Sequence, residues 1–305
     1  HPSIHTVSDP ARRVWLQGGL GSLAAGLWAP WLAACASHGP PDGGPLLGFK
    51  SVPVSEQDTV VVPEGYTVQV IAAWGEPVGV PGHMPAWRSD ATHSAAEQAL
   101  QMGMHHDGIH YFALDGSSTR GLLAMNHEYS DDGLLHPDGM LNWTAEKTAK
   151  SQAAHGVAVI EVALRGGQWQ MVRPSPYARR FTARTPFRVA GPAAGHALMK
   201  TAADPEGRTV LGTLNNCASG MTPWGTYLSG EENWAFYFSG GDQLTPDQQR
   251  WGLRPAGFFP WSDTDARFDA TRHPNEFHRF GWVVEIDPMD PHSVPVKRTA
   301  LGRAA

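Results

Sequence analysis

Cys217 lies in the run Leu211-Gly-Thr-Leu-Asn-Asn-Cys-Ala-Ser-Gly-Met-Thr-Pro-Trp-Gly-Thr-Tyr-Leu-Ser-Gly-Glu-Glu-Asn233. A thiol preceded by paired asparagines and followed by a Gly-containing turn is close in sequence to two adjacent carboxylates, Glu231 and Glu232. Soft sulfur near hard oxygen is a poor set for packing and a good one for iron or a mixed-metal site. Two like charges side by side repel unless a cation or separate partners hold them. Asn233 adds an amide carbonyl, a donor that suits calcium.

The other cysteine, Cys35, sits in what reads as an export leader over residues 1–36. Arg12-Arg13 before Val-Trp-Leu has the form of a twin-arginine signal, and an uncharged apolar stretch runs from Gly18 to Ala36. Its Gly, Pro and Ser make it a poor permanent membrane helix. Leu32-Ala-Ala-Cys35 has the form of a lipoprotein cleavage box with Cys35 as the lipidated residue; the competing reading is simple cleavage nearby. Either way Cys217 becomes the sole thiol of an exported, periplasmic or extracellular protein. A lone cysteine in an oxidising compartment is either a small buried hydrophobe or a ligand. The polar neighbours of Cys217 favour the ligand.

Composition points to a globular, mildly acidic chain. Hydrophobic residues make up 41% and charged residues 17%, with net charge −6. That balance offers no basic face for nucleic acid. Gly 34, Pro 25 and Trp 12 suggest many turns and bulky packing. Residues 37–48 read as a Gly/Pro linker. Beyond it, strands are expected over 66–73, 108–114, 122–126, 155–164, 168–172, 209–214, 226–229 and 282–286, with short helices over 91–102 and 144–153. Short strands with Gly and aromatic punctuation imply an all-β fold, and a β-propeller is the favoured form, with strand-end carboxylates from separate blades converging on one ion cluster.

The Cys217 run resembles the signature of the PhoX-type alkaline phosphatases. Further matches follow in one order: His105-His-Asp-Gly108, Leu123-Ala-Met-Asn-His-Glu-Tyr129, Ser175-Pro-Tyr-Ala-Arg-Arg180, Gly191-Pro-Ala-Ala-Gly-His196 and Phe280-Gly-Trp-Val-Val-Glu-Ile-Asp-Pro288. They extend from about residue 45 onward. The sequence departs from the family pattern at Gly230, where a second cysteine is frequent, and at Cys217-Ala-Ser-Gly220, where Cys-Ala-Gly-Gly is usual.

The resemblance implies a propeller fold and a phosphomonoesterase that uses two Fe(3+) and several Ca(2+) ions on small phosphate esters. It makes Cys217 the iron thiolate, Glu232 and Asn233 ligands of the cluster, and Glu285 a further ligand. Glu231 is a candidate beside them, and Asn126 and Glu128 are site-adjacent. It also implies that the chain is an N-terminal fragment of an incomplete propeller. Further ligands and the phosphate-gripping residues would then lie beyond Ala305, and the piece alone would be inactive. No side-chain nucleophile stands out, and Gly-x-Ser-x-Gly, phosphate-loop and dinucleotide motifs are absent. The cluster that the resemblance implies would hold an oxo or hydroxo oxygen, the nucleophile expected here.

A rival reading takes His105-His106-Asp107 as a transition-metal set. The two histidines fit better as structural or supporting residues, as do His127 and His196. A calcium-stabilised propeller that binds without catalysis is the alternative function.

Overall fold

Gly166 and Gly167 take φ of 58° and 78°, the left-handed conformation that a two-residue hairpin turn requires. They join β3 (Gly156–Arg165) to β4 (Gln168–Met171). The computed structural model describes residues 48–303. The twin-arginine pair, the apolar leader and Cys35 lie outside the described residues, as does all of the linker but Gly48. The chain divides after Val68. Residues 48–68 are exposed and without helix or strand; Lys50 and Glu64 pair there at 2.6 Å.

From Gln69 onward the chain is mostly strand. The first sheet has the order β1 (His106–Ala113), β2 (Arg120–His127), β3, β4, and β5 (Arg179–Phe181) also pairs with β3. All its pairings are antiparallel. The apolar run Val157-Ala-Val-Ile160 of β3 is buried on both faces, which explains why it lacks polar alternation. The second sheet has the order β7 (Thr209–Leu211), β6 (Pro186–Ala190), β11 (Val296–Arg303), β10 (Trp282–Ile286), β9 (Tyr227–Glu231), β8 (Asn216–Met221). Only the β6–β11 pairing is parallel.

The sheets share a buried apolar layer. Phe112, Leu122 and Val159 of the first meet Phe187, Tyr227 and Val284 of the second. A second core, dominated by aromatics such as Trp234, Tyr237, Phe259, Trp261 and Phe277, gathers around the loops between β9 and β10. Most of the tryptophans and phenylalanines find their use in such packing.

Helices are few and short: α1 (Ala95–Gln98), α2 (Asp132–Leu135), α3 (Ala145–Ala154) and α4 (Pro246–Arg250). The helix expected over 144–153 forms as α3, and Thr144 caps it by accepting from Lys147 N. The helix expected over 91–102 shrinks to one turn, started by a Ser94/Glu97 capping box. None of the described helices is long and apolar enough to cross a membrane.

The strand expected over 66–73 does not form. Gln69 meets β4 with its side chain instead: its Nε2 donates to Trp169 O at 2.7 Å, and its Oε1 accepts from Trp169 N at 3.0 Å. A side-chain amide thus stands in for one backbone pairing. The fold is therefore all-β in character.

Candidate metal centre

Two edge strands from different sheets carry the site, and each is bulged. Along β1 the register advances three residues, His106 to Ile109, while β2 advances two, His127 to Met125. The extra residue releases Asp107 from regular alternation. Along β8 it advances three, Asn216 to Ser219, while β9 advances two, Glu231 to Ser229. That second bulge holds Cys217. Bulges re-aim side chains in this way. Gly108 makes the approach of the two strands feasible: a Cβ there would lie 2.5 Å from Ser219 Cβ and 2.8 Å from Cys217 O.

The result is a grouping of donors. One ligand atom each from Asp107, Glu128 and Cys217 lies within 4.8 Å of the others. Glu128 is the first residue past β2, its backbone N donating to His105 O at 3.0 Å. Glu232, the first residue past β9, also reaches the Cys217 thiol. Hydrogen bonds to the carboxylates of Asp107 and Glu232, followed by burial, push the thiol pKa well up. Glu128 is raised too, by burial first and then by Asp107 and Glu232. A glutamate and a thiol whose charged forms are disfavoured by neighbouring carboxylates belong to a set that a bound cation would stabilise.

Asn126 is fully buried behind this grouping. Its Nδ2 donates to Cys217 O at 2.6 Å, and its Oδ1 accepts from the Tyr227 hydroxyl at 2.9 Å. It therefore supports the bulge that carries the thiol, in keeping with a site-adjacent place. Asn233 follows Glu232 as an exposed residue at the start of a short turn, Trp234–Tyr237.

Two predicted ligands face elsewhere. Successive strand residues point to opposite faces, and Tyr227, Ser229 and Glu231 all point inward. Glu231 is fully buried and paired with Lys297 Nζ at 2.6 Å, and it also accepts from Trp282 N at 3.0 Å. Its carboxylate is committed to the core. Glu285 is committed as well: it accepts from Trp224 Nε1 at 3.0 Å and from Thr226 Oγ1 at 2.6 Å, and it pairs with Arg298. These donors hold its pKa down despite burial. In this structure both carboxylates are taken up by protein partners rather than joined to the donor group. Asp107, by contrast, belongs to the donor group, although the ligand set expected from sequence did not include it. The tight glycine after it was the available signal.

The profile of the alkaline phosphatase PhoX family matches residues 47–305. This chain belongs to that family. Among solved structures, "Pseudomonas fluorescens PhoX in complex with vanadate, a transition state analogue" is similar at 47% identity with a TM-score of 0.81, over 84% of this chain and 45% of that one. The chain thus spans less than half of that relative's length. No curated protein sequence matches it.

In this PhoX-family chain the described histidines lie outside the donor group. Among the described residues, no histidine joins a cluster of three or more potential metal donors. His127 is fully buried, and burial drives its pKa well below the ordinary value, so its ring stays neutral. His105 stacks on Tyr129 with ring centroids 3.8 Å apart. His196 is used locally, its Nδ1 accepting from Leu198 N at 3.2 Å. The donor chemistry of Cys217 with Asp107, Glu128 and Glu232 fits a mixed iron and calcium group: sulfur for iron, carboxylate oxygen for both.

Proposed function

We propose that this chain carries part of the active centre of an exported phosphomonoesterase that hydrolyses small phosphate esters. The observation that supports this most is the convergence of Asp107, Glu128 and Cys217 on two facing bulges, in a chain of the PhoX family. Cys217 would hold iron, and Asp107, Glu128 and Glu232 would hold iron and calcium, with Asn233 as a further oxygen donor. Bound there, Fe(3+) and Ca(2+) would supply Lewis acidity and neutralise phosphate charge. The protein's own part is to present these donors at fixed spacing and to keep His127 uncharged behind them. That a relative binds vanadate as a transition-state analogue supports a reading of phosphoryl chemistry.

The two sheets are read as two blades of a β-propeller. Asp107 and Cys217 lie on edge strands, β1 and β8, and an edge strand is what a blade turns toward the central axis.

The complete gene product, purified with its metals, should hydrolyse p-nitrophenyl phosphate and be inhibited by vanadate. A metal-loaded protein with no turnover would favour the binding-only reading. Chelation of calcium should lower the melting temperature, because a ligand held only by the folded state stabilises it by about 2.7 kcal/mol at a hundred times its Kd. A melting temperature indifferent to chelator would mean that these acids are merely solvated. Twin-arginine export to the periplasm or beyond is part of the same proposal, with any lipid anchor at Cys35. Changing Arg12 and Arg13 to lysine should trap the protein inside the cell, and normal export of that variant would point to another route.

A further inference from the structure

The donors come from two sheets, and no ladder of backbone hydrogen bonds joins β1 to β8. Something else must set the gap between the two bulges. One buried cluster spans it. The Tyr227 hydroxyl, from β9, lies 2.8 Å from Gly108 O on β1 and 2.9 Å from Asn126 Oδ1 on β2, sharing its proton between them. Asn126 Nδ2 then donates to Cys217 O at 2.6 Å and to Ala218 O at 3.4 Å on β8. Four strands meet at these two side chains. Gly108 adjoins Asp107, Asn126 lies two residues before Glu128, and Cys217 is itself a donor. Tyr227 and Asn126 are both fully buried, so water does not compete for their bonds.

We propose that Tyr227 and Asn126 form a positioning pair whose hydrogen bonds fix the distance between the Asp107 bulge and the Cys217 bulge, and so the shape of the metal site. Neither residue ligates metal. They act by holding backbone carbonyls, one beside Asp107 and one on Cys217 itself, against each other across the seam between sheets. The inference rests on the metal reading proposed above. It adds that the seam, rather than either sheet alone, sets the donor geometry.

Tyr227→Phe isolates the hydroxyl. The ring that packs edge-on against Phe112, at a centroid distance of 6.4 Å, is kept. Tyr111→Phe is the matched control. It removes another tyrosine hydroxyl, one that donates to Ser117 O at 2.9 Å within the first sheet. Asn126→Leu removes the amide while keeping the number and branching of side-chain heavy atoms.

The complete protein and each variant would be titrated with ferric iron against a competing chelator. The thiolate-to-iron absorption band would be recorded, and melting would be followed without metal. Tyr227→Phe and Asn126→Leu should each weaken iron binding about ten- to hundredfold and displace the band, the scale for residues that orient ligands. The double variant should be no worse than the weaker-binding single one, because the pair acts as a unit. Tyr111→Phe should keep wild-type affinity and band. Wild-type affinity and an unmoved band in Tyr227→Phe, or equal losses in Tyr111→Phe, would overturn the positioning role. A wild-type protein with no iron–thiolate band at all would instead overturn the metal reading beneath it.

Discussion

Changing Cys217 to serine should strip iron from the complete protein, with activity falling by more than the roughly hundredfold that outer residues of metal sites cost. The thiol is the one soft donor in a group otherwise built from carboxylates, so serine loses the sulfur that selects iron while nearly keeping the shape. Asp107→Asn and Glu128→Gln should lower metal content too, because each removes a charge from atoms that lie within 4.8 Å of the sulfur. Glu285→Gln makes the contrast. Its carboxylate is held by Trp224, Thr226 and Arg298, so this variant should keep its iron. Elemental analysis of the four proteins decides the matter. Iron retained in Cys217→Ser would sink the thiolate assignment altogether, and iron lost in Glu285→Gln but kept in Asp107→Asn would restore the ligand set expected from sequence.

Where sequence alone succeeded and failed follows from the range of the forces involved. β2, β3 and β10 were legible because apolar runs bounded by turns are local signals, and Gly166-Gly167 marked the β3–β4 hairpin. β8 was not. Asn216-Cys-Ala-Ser-Gly-Met221 has no alternation of apolar and polar residues, and its bulge interrupts what little period there is. The run therefore read as a turn. Cys217, Glu232 and Glu128 were legible as chemistry, since a thiol and strand-end acids are unusual enough to notice. Glu231 and Glu232 could have been separated by strand period, which sends neighbours to opposite faces. Glu285 could not have been judged so. Its partners Trp224, Thr226 and Arg298 lie 61, 59 and 13 residues away, and only the folded sheet brings them to it. Lys297 was equally invisible. A lysine in a strand of mixed character, Val-Lys-Arg-Thr-Ala-Leu-Gly-Arg, gives no sign of which acid will meet it.

That lysine carries the largest stability effect expected. Lys297 and Glu231 are both fully buried, 2.6 Å apart, on β11 and β9 with β10 between them. The ammonium also donates to Arg279 O at 3.2 Å and lies 4.1 Å from the Phe280 ring centroid. Burial pulls its pKa down to about 8 against the opposing pull of Glu231, so it remains mostly charged at neutral pH. Lys297→Met would leave the Glu231 carboxylate without its counter-ion in a dry core. Removing one partner of such a pair costs about 3–5 kcal/mol. In a domain of this size that corresponds to a melting temperature lower by roughly 10 °C. Glu231 would keep its bonds from Trp282 N and Leu214 N, which bounds the loss. Adding Glu231→Gln to Lys297→Met removes the stranded charge, and stability should recover by about half or more, since a buried pair replaced as a whole is often close to neutral. Urea unfolding of wild type, both single variants and the double variant yields the coupling directly. Additive losses in that cycle would mean that the two side chains are held independently. β9 would then owe its register, and with it the outward direction of Glu232, to backbone pairing rather than to this ion pair.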